Sequence, residues 1–277
     1  MKKNIVWLAS YPKSGNTWTR IFLANYLSNA ETPVPINQVQ RFGMGDSIAK
    51  TYEMVARQKV DTQNVALTLQ LRDKVLRGIS GNNADVNLVK THNTCKVARG
   101  VELIPPQYTR SAIYIIRNPL DMVLSYARHY NMTPARAAHA ICHKDNALLP
   151  DAETVISFLG TWSDHVRSWT RKHPFPVLVL RYEDILADPE AEFTKVINHF
   201  GMDVDVERLR RAISFASFKE VKQQEEASGF VERPAASESF FTKGGSGHWK
   251  DDLDPELAEQ IRAANHATMK YHGYLDE

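Results

Sequence analysis

Four short apolar runs recur along the chain, each closed by polar residues and followed by a stretch patterned for a helix. The first, Ile5-Val6-Trp7-Leu8-Ala9, is continuous rather than alternating, as expected of a strand buried on both faces of a parallel sheet. Behind it Trp18, Ile21, Phe22 and Tyr26 recur at helical spacing, so a helix should open near Asn16 or Thr17. Val86-Asn87-Leu88-Val89, Ala112 to Ile116 and Val177 to Leu180 repeat the strand pattern. Asn118-Pro119 with Asp121, Asp188-Pro189 and Asp254-Pro255 carry the chemistry of helix starts. Between these units, mixed helical segments cover roughly residues 47 to 78. Val155, Phe158, Leu159, Trp162, Val166 and Trp169 predict one helix with a core-facing stripe, ended by Pro174 and Pro176. Strand-helix alternation of this kind predicts a three-layer α/β/α fold around a mainly parallel sheet.

Composition narrows the picture. The 277 residues, 43% hydrophobic and 24% charged, suit one large α/β domain spanning residues 1–277. A net charge of +2 is too balanced for a surface that coats nucleic acid, so any anion binding should be local. Two cysteines, Cys95 and Cys142, give no disulfide framework and suit a reducing, cytoplasmic setting. The apolar run after Met1-Lys2-Lys3 is shorter than a secretory core, and no window holds 18 uninterrupted apolar residues, so no membrane association is expected.

The chemistry concentrates where strands hand over to helices. Tyr11-Pro-Lys-Ser-Gly-Asn-Thr-Trp18 joins the first strand to the first helix, and a helix start offers unpartnered N–H groups and a positive dipole to a phosphate or sulfate. Lys13 adds a charge, Ser14 and Thr17 add hydroxyls, and Gly15 lets the backbone close on a ligand. The Walker pattern is excluded, since the leading glycine is missing and Lys13 precedes Gly15. His92 follows Lys90 at the end of the second strand, where ligands meet a parallel sheet; a histidine there serves either as a structural group or as a base. Arg117 sits at the next junction, with a planar fork suited either to a surface carboxylate or to a phosphate. The spacing of His139 and His143 places both on one helical face, but no companion ligand stands at a recognised spacing, so no metal is expected.

The segment YPKSGNTW closely resembles the 5′-phosphosulfate loop of the cytosolic-type sulfotransferases, whose donor is 3′-phosphoadenosine 5′-phosphosulfate (PAPS). The resemblance implies their P-loop-like nucleotide-binding fold, with Lys13, Ser14, Gly15, Asn16 and Thr17 holding the phosphosulfate and Trp18 stacking on adenine. Leu88-Val-Lys-Thr-His92 is similar to the family segment whose histidine takes the acceptor's proton, so His92 inherits the base role, with Lys90 and Lys13 stabilising the leaving phosphate. RNPLDMVLSYARHY resembles the second cofactor motif, which gives the 3′-phosphate to Arg117 and Ser125. RYED brings Tyr182 to the adenine side, and Ser214 to Glu220 resembles the segment in which Ser217 and Phe218 border adenine. The closing loop of the family usually reads Arg-Lys-Gly with a later Gly-Asp-Trp-Lys; Thr242 and His248 replace the arginine and aspartate here, while Lys243 and Gly244 carry over. The family's C-terminal dimer motif is not visible, which leaves a homodimer open. The resemblance implies a small-molecule hydroxyl acceptor, a phenol or alcohol, with a sugar or glycopeptide as the alternative. Residues 30–80 and 128–150 are expected to form acceptor-side insertions or lids. An ATP-dependent kinase would need a means of seating magnesium, which is not apparent, and a non-catalytic nucleotide-binding module would be favoured if Lys13 or His92 were missing.

Overall fold

All six residues of β1 (Ile5–Ser10) are buried, because this strand lies at the centre of the sheet and has a helical layer on each side. The computed structural model describes residues 2–234 and 237–275. β1 leads through the loop at Tyr11 into α1 (Asn16–Ser28), a 3-10 turn (Ile36–Arg41), β2 (Met44–Gly45), α2 (Ala49–Ala56) and α3 (Val65–Ser80). Next come β3 (Asn87–Thr91), a hairpin of β4 (Val97–Ala98) and β5 (Val101–Glu102), β6 (Thr109–Ile116), α4 (Pro119–His129) and α5 (Pro134–Ile141). The short pair β7 (Ala147–Leu148) and β8 (Ser157–Phe158) precedes α6 (Trp162–Thr170) and β9 (Val177–Arg181). The chain closes with α7 (Tyr182–Ala187), α8 (Pro189–His199), α9 (Val206–Phe215), α10 (Phe218–Ser228), α11 (Trp249–Asp252) and α12 (Pro255–Tyr271).

The sheet order is β2-β3-β1-β6-β9, and every pairing in it is parallel. Side chains alternate across the sheet. Ile5, Trp7, Ala9, Ala112 and Tyr114 face a core shared with α3, α4, α5, α6 and α12. Leu8, Ile113, Ile115 and Leu180 face a second core built with α1, α8 and α9. The expected α/β/α sandwich is therefore present. In register, Leu8 lies beside Lys90 and Ile113, and Ile116 lies beside Arg181. The loops after β1, β3, β6 and β9 thus leave the sheet along one edge.

Two expectations are corrected. The stripe from Val155 to Trp169 is not one helix: β8 is extended, and α6 starts only at Trp162. Gly160 turns left-handed at φ 70°, and the Thr161 hydroxyl accepts from the Asp164 N–H at 2.9 Å, a cap that begins the helix there. Val155, Leu159 and Trp162 are still buried, so an apolar pattern correct about the core misreports the period. α5 likewise ends at Ile141, so His143 lies beyond the helix rather than on one face with His139, although the two rings stack 5.5 Å apart. Among the described residues, no group of three or more His, Cys, Asp or Glu side chains is placed to hold a metal. No described helix is long and apolar enough to cross a membrane.

Candidate active site

A cavity of about 450 Å³ opens along the carboxyl edge of the sheet, within the size range of small-molecule and cofactor sites. Its floor is made by the strand ends: Lys13, Gly15, Asn16, Thr17 and Trp18 after β1, Lys90 and His92 at β3, Arg117 after β6 and Tyr182 after β9. Ser125, on α4, and Ser217 and Phe218, at the start of α10, close the sides, and Lys243 and Gly244 lie in the roof. Of the residues expected to bind the donor or take part in the reaction, Ser14 alone is not among those lining the cavity. It is fully buried, and its hydroxyl finds no hydrogen-bond partner among the described residues.

The loop after β1 is shaped by close approach. Lys13 adopts φ 68° and Gly15 φ 102°; a Cβ at Gly15 would come within 2.8 Å of the Tyr182 ring, so only glycine fits. The Arg117 guanidinium donates to the Lys13 carbonyl at 3.0 Å and to the Gly245 carbonyl at 3.2 Å, and it lies 4.2 Å from the centre of the Tyr182 ring. Arg117 therefore ties floor to roof. The Asn16 amide donates to the Leu8 carbonyl at 3.0 Å, which spends its side chain on the strand end. The Lys13 ammonium stands 3.9 Å above the Phe240 ring. Burial, with Arg117 and Lys90 nearby, holds its pKa down at about 7.

His92 is oriented by its neighbours. Its Nδ1 donates to the Ser10 carbonyl at 2.8 Å, which leaves Nε2 unprotonated and able to accept. Burial and the Lys90 charge hold its pKa well below the usual imidazole range, so the ring is neutral. Both flanking residues are pinned: the Thr91 hydroxyl and the Asn93 amide donate to Asp46 Oδ2 at 2.8 and 3.0 Å. Asp46 is itself paired with buried Arg72 at 2.7 Å. The His92 carbonyl accepts from His165 Nε2 at 3.0 Å, and the Tyr114 hydroxyl lies 2.9 Å from His165 Nδ1.

Part of the remaining wall comes from Glu232, Asp252 and His129, which the sequence did not point to. Glu232 lines the cavity, and its Oε2 accepts from buried Arg20 at 2.6 Å and from the Thr17 hydroxyl at 3.4 Å. Lys90 Nζ lies 3.8 Å away. Those cations hold the Glu232 pKa at about 2, against the cost of burial. Glu225 accepts from the Phe240 and Phe241 N–H groups, at 2.6 and 3.0 Å, and Asp121 accepts from those of Gly247 and Trp249, at 2.8 and 3.1 Å. Lys243 pairs with Asp252 across the roof, and the His248 ring bonds the Gly244 carbonyl at 2.9 Å. From residues 128–150 only Arg128, His129 and Tyr130 line the cavity, and none of the lining residues comes from 30–80. Burial and the charge of Lys13 hold the His129 pKa at about 3.

The model of a family described as Sulfotransferase domain matches residues 3–273. The chain is 25% identical over 283 residues to sulfotransferase 1 family member D1 of Mus musculus, spanning 98% of this chain and 86% of the relative. It is 31% identical over 173 residues to sulfotransferase 1A1 of Rattus norvegicus, spanning 57% of this chain and 55% of that one. Among solved structures, retinol dehydratase in complex with androsterone and the inactive cofactor PAP aligns with a TM-score of 0.66 at 17% identity, covering 98% of this chain and 82% of the other. A mouse sulfotransferase complexed with PAP aligns with a TM-score of 0.63 at 20% identity, covering 97% and 86%. These structural likenesses establish the fold.

Proposed function

The chain belongs to the sulfotransferase family, and we propose that it transfers the sulfuryl group of PAPS to a hydroxyl of a small-molecule acceptor, a phenol or alcohol, with His92 as general base. The observation that carries this reading is the convergence of Lys13, Lys90, His92 and Arg117 from three neighbouring strand ends on one cavity. A nucleotide bearing a 5′-phosphosulfate and a 3′-phosphate needs two cationic ends joined by an apolar slot. Lys13 and Lys90 supply one end, Arg117 with Ser125 and Lys243 the other, and Trp18, Ile185, Leu186 and Phe218 the slot. The PAP bound by two proteins of the same fold supports the fit.

PAPS supplies an electrophilic sulfur whose bridging oxygen becomes part of the leaving 5′-phosphate. His92 Nε2, unprotonated, accepts the acceptor's proton as its oxygen attacks in line with that bond. Lys13 and Lys90 stabilise charge growing on the leaving oxygen. Lys13, poised near neutrality, is driven to its charged form by the incoming anion. The scheme uses no metal, because a sulfuryl group carries less negative charge than a phosphoryl and the lysines neutralise the leaving phosphate. Labelled PAPS offered with phenols, aliphatic alcohols, sugars and a glycopeptide tests the reading. The expected outcome is label on a phenol or alcohol with one PAP released per product, undiminished by chelator. Transfer confined to the sugar or glycopeptide would reassign the acceptor, and no transfer beside phosphorylation from ATP would overturn the reading.

A further inference from the structure

Three carboxylates line the cavity among its described residues, Asp121, Glu232 and Asp252. Asp121 is spent on roof N–H groups and Asp252 on Lys243. Glu232 instead stands at the reacting end, where one oxygen gathers Arg20, Thr17 and Lys90. It is also fixed there. The side chain of Asn37, in the 3-10 turn, clamps the backbone on both sides of Phe230: it donates to the Gly229 carbonyl at 3.1 Å and accepts from the Val231 N–H at 2.9 Å. Phe230 is buried. Arg20, only 2% exposed, anchors the carboxylate from below. A carboxylate held by a clamped turn and a buried arginine is a fixed part of the site rather than a swinging plug.

We propose that Glu232 is a positioning residue for Lys90: it holds the Lys90 ammonium in the cavity beside His92, where that charge stabilises the departing phosphate. The proposal rests on the sulfotransferase reading above. It gives a lysine whose charged form burial disfavours an opposite charge at 3.8 Å. Lys90 is surrounded by Glu232, Arg20, Asp46, His92, Lys13 and His129. Burial pushes its pKa down, Glu232 is the strongest charge pulling it back up, and Arg20 opposes. A lysine is useful here as a cation, which it ceases to be as pH rises through its pKa. Without the Glu232 charge that loss comes at lower pH.

The test is single-turnover sulfation by the full chain with saturating PAPS, from about pH 6 to 10, beside PAP affinity for each protein. Glu232→Gln is expected to slow transfer about tenfold near neutrality, one charge-assisted contact's worth. PAP affinity should stay within about threefold, since a contact acting in transfer alone leaves ground-state binding nearly unchanged. Its alkaline limb should move toward acid by about one pH unit or more. Glu232→Asp should lie between the two, and adding Lys90→Arg to Glu232→Gln should abolish the limb's shift, because arginine keeps its charge. An unshifted limb at the parent rate would overturn the proposal. So would parallel loss of rate and affinity with no shift, which marks a packing role, or a gain in PAP affinity with faster transfer, which marks an anion in the donor's place. Lys90→Met separates the two levels: if it transfers at the parent rate, the role given to Lys90 in the reaction fails and the proposal with it. If it is slow while Glu232→Gln behaves as the parent, only the proposal fails.

Discussion

On the floor of the cavity Lys13, Lys90, His92 and Arg117 hang from the ends of adjacent parallel strands, whereas the roof, the described part of residues 229–253, hangs from carboxylates. Floor geometry follows from sheet register: once β1, β3 and β6 pair, the positions of these four residues follow within the pleat. Roof geometry follows from Glu225, Glu232 and Asp121, each accepting hydrogen bonds from groups far away in sequence. The floor is thus fixed by the sheet and the core that folds the protein, whereas the roof adds to the packing of Phe230, Phe240 and Phe241 a set of polar contacts to carboxylates. A site assembled this way sets its floor residues by global folding, while its roof can be altered at a few side chains with the sheet left intact.

If the two regions differ so, substitutions should separate stability from binding. Asp46→Ala leaves buried Arg72 without its partner beneath the floor, and should cost about 3–5 kcal/mol of stability, read from denaturant unfolding. Asp121→Asn puts an amide NH2 in place of one carboxylate oxygen, so one of the Gly247 and Trp249 N–H groups loses its acceptor, and it should weaken PAP binding with little change in unfolding midpoint. Equal losses of stability in both variants would break the contrast.

Arg117 spans both regions, and Arg117→Ala sharpens the point. If the 3′-phosphate is held by Arg117, Ser125 and Lys243, as proposed, the parent should prefer the 3′-phosphorylated nucleotide to adenosine 5′-phosphosulfate by about 2–4 kcal/mol, as charge-assisted bonds imply. The variant should lose most of that preference in calorimetry. Indifference of the parent to the 3′-phosphate would remove all three residues from this role.

Lys13, lying between floor and Phe240, gives a subtler signal. Its pKa in the free protein is held down at about 7, so above that pH it is mostly neutral, and an anion that recharges it must bring a proton from solution. PAP binding near pH 8 should take up as much as about one proton, falling toward none near pH 6, and affinity should decline as pH rises above about 7. Calorimetry in buffers of different ionisation heat measures this, and Lys13→Arg should abolish the uptake. Uptake that persists in Lys13→Arg would assign the proton elsewhere.

The floor was legible in the sequence because each of its residues sits within a few positions of an apolar run, and a buried parallel strand announces its own carboxyl end. Lys90, His92, Arg117 and Tyr182 were all found that way, with family resemblance deciding between structural and chemical roles. The Ser14 side chain is buried away from the cavity, a direction that no sequence pattern records. The roof was not legible. Glu225 and Glu232 stand in a charged stretch that reads as solvated helix and turn, and their partners Arg20, Lys90 and Phe240 lie on other elements or across a turn. Arg20, on the other side of α1 from its apolar stripe, carries no local sign of burial. Residues 30–80 supply Asn37, which clamps the turn bearing Glu232, and Asp46, which braces the residues on both sides of His92, contacts that no local pattern records. The broken helix at Gly160 was missed because burial alone, without the Thr161 cap, fits a helical period.

The central claim is that His92 takes the acceptor's proton on a floor that binds donor independently of it. Single-turnover sulfation by His92→Ala at saturating PAPS, with PAP affinity measured on the same protein, tests it most directly. The account predicts transfer slower by on the order of 10²–10⁴ with donor affinity retained. Near-normal transfer would contradict it, and loss of donor affinity in step with rate would make His92 a structural support of the loop after β1.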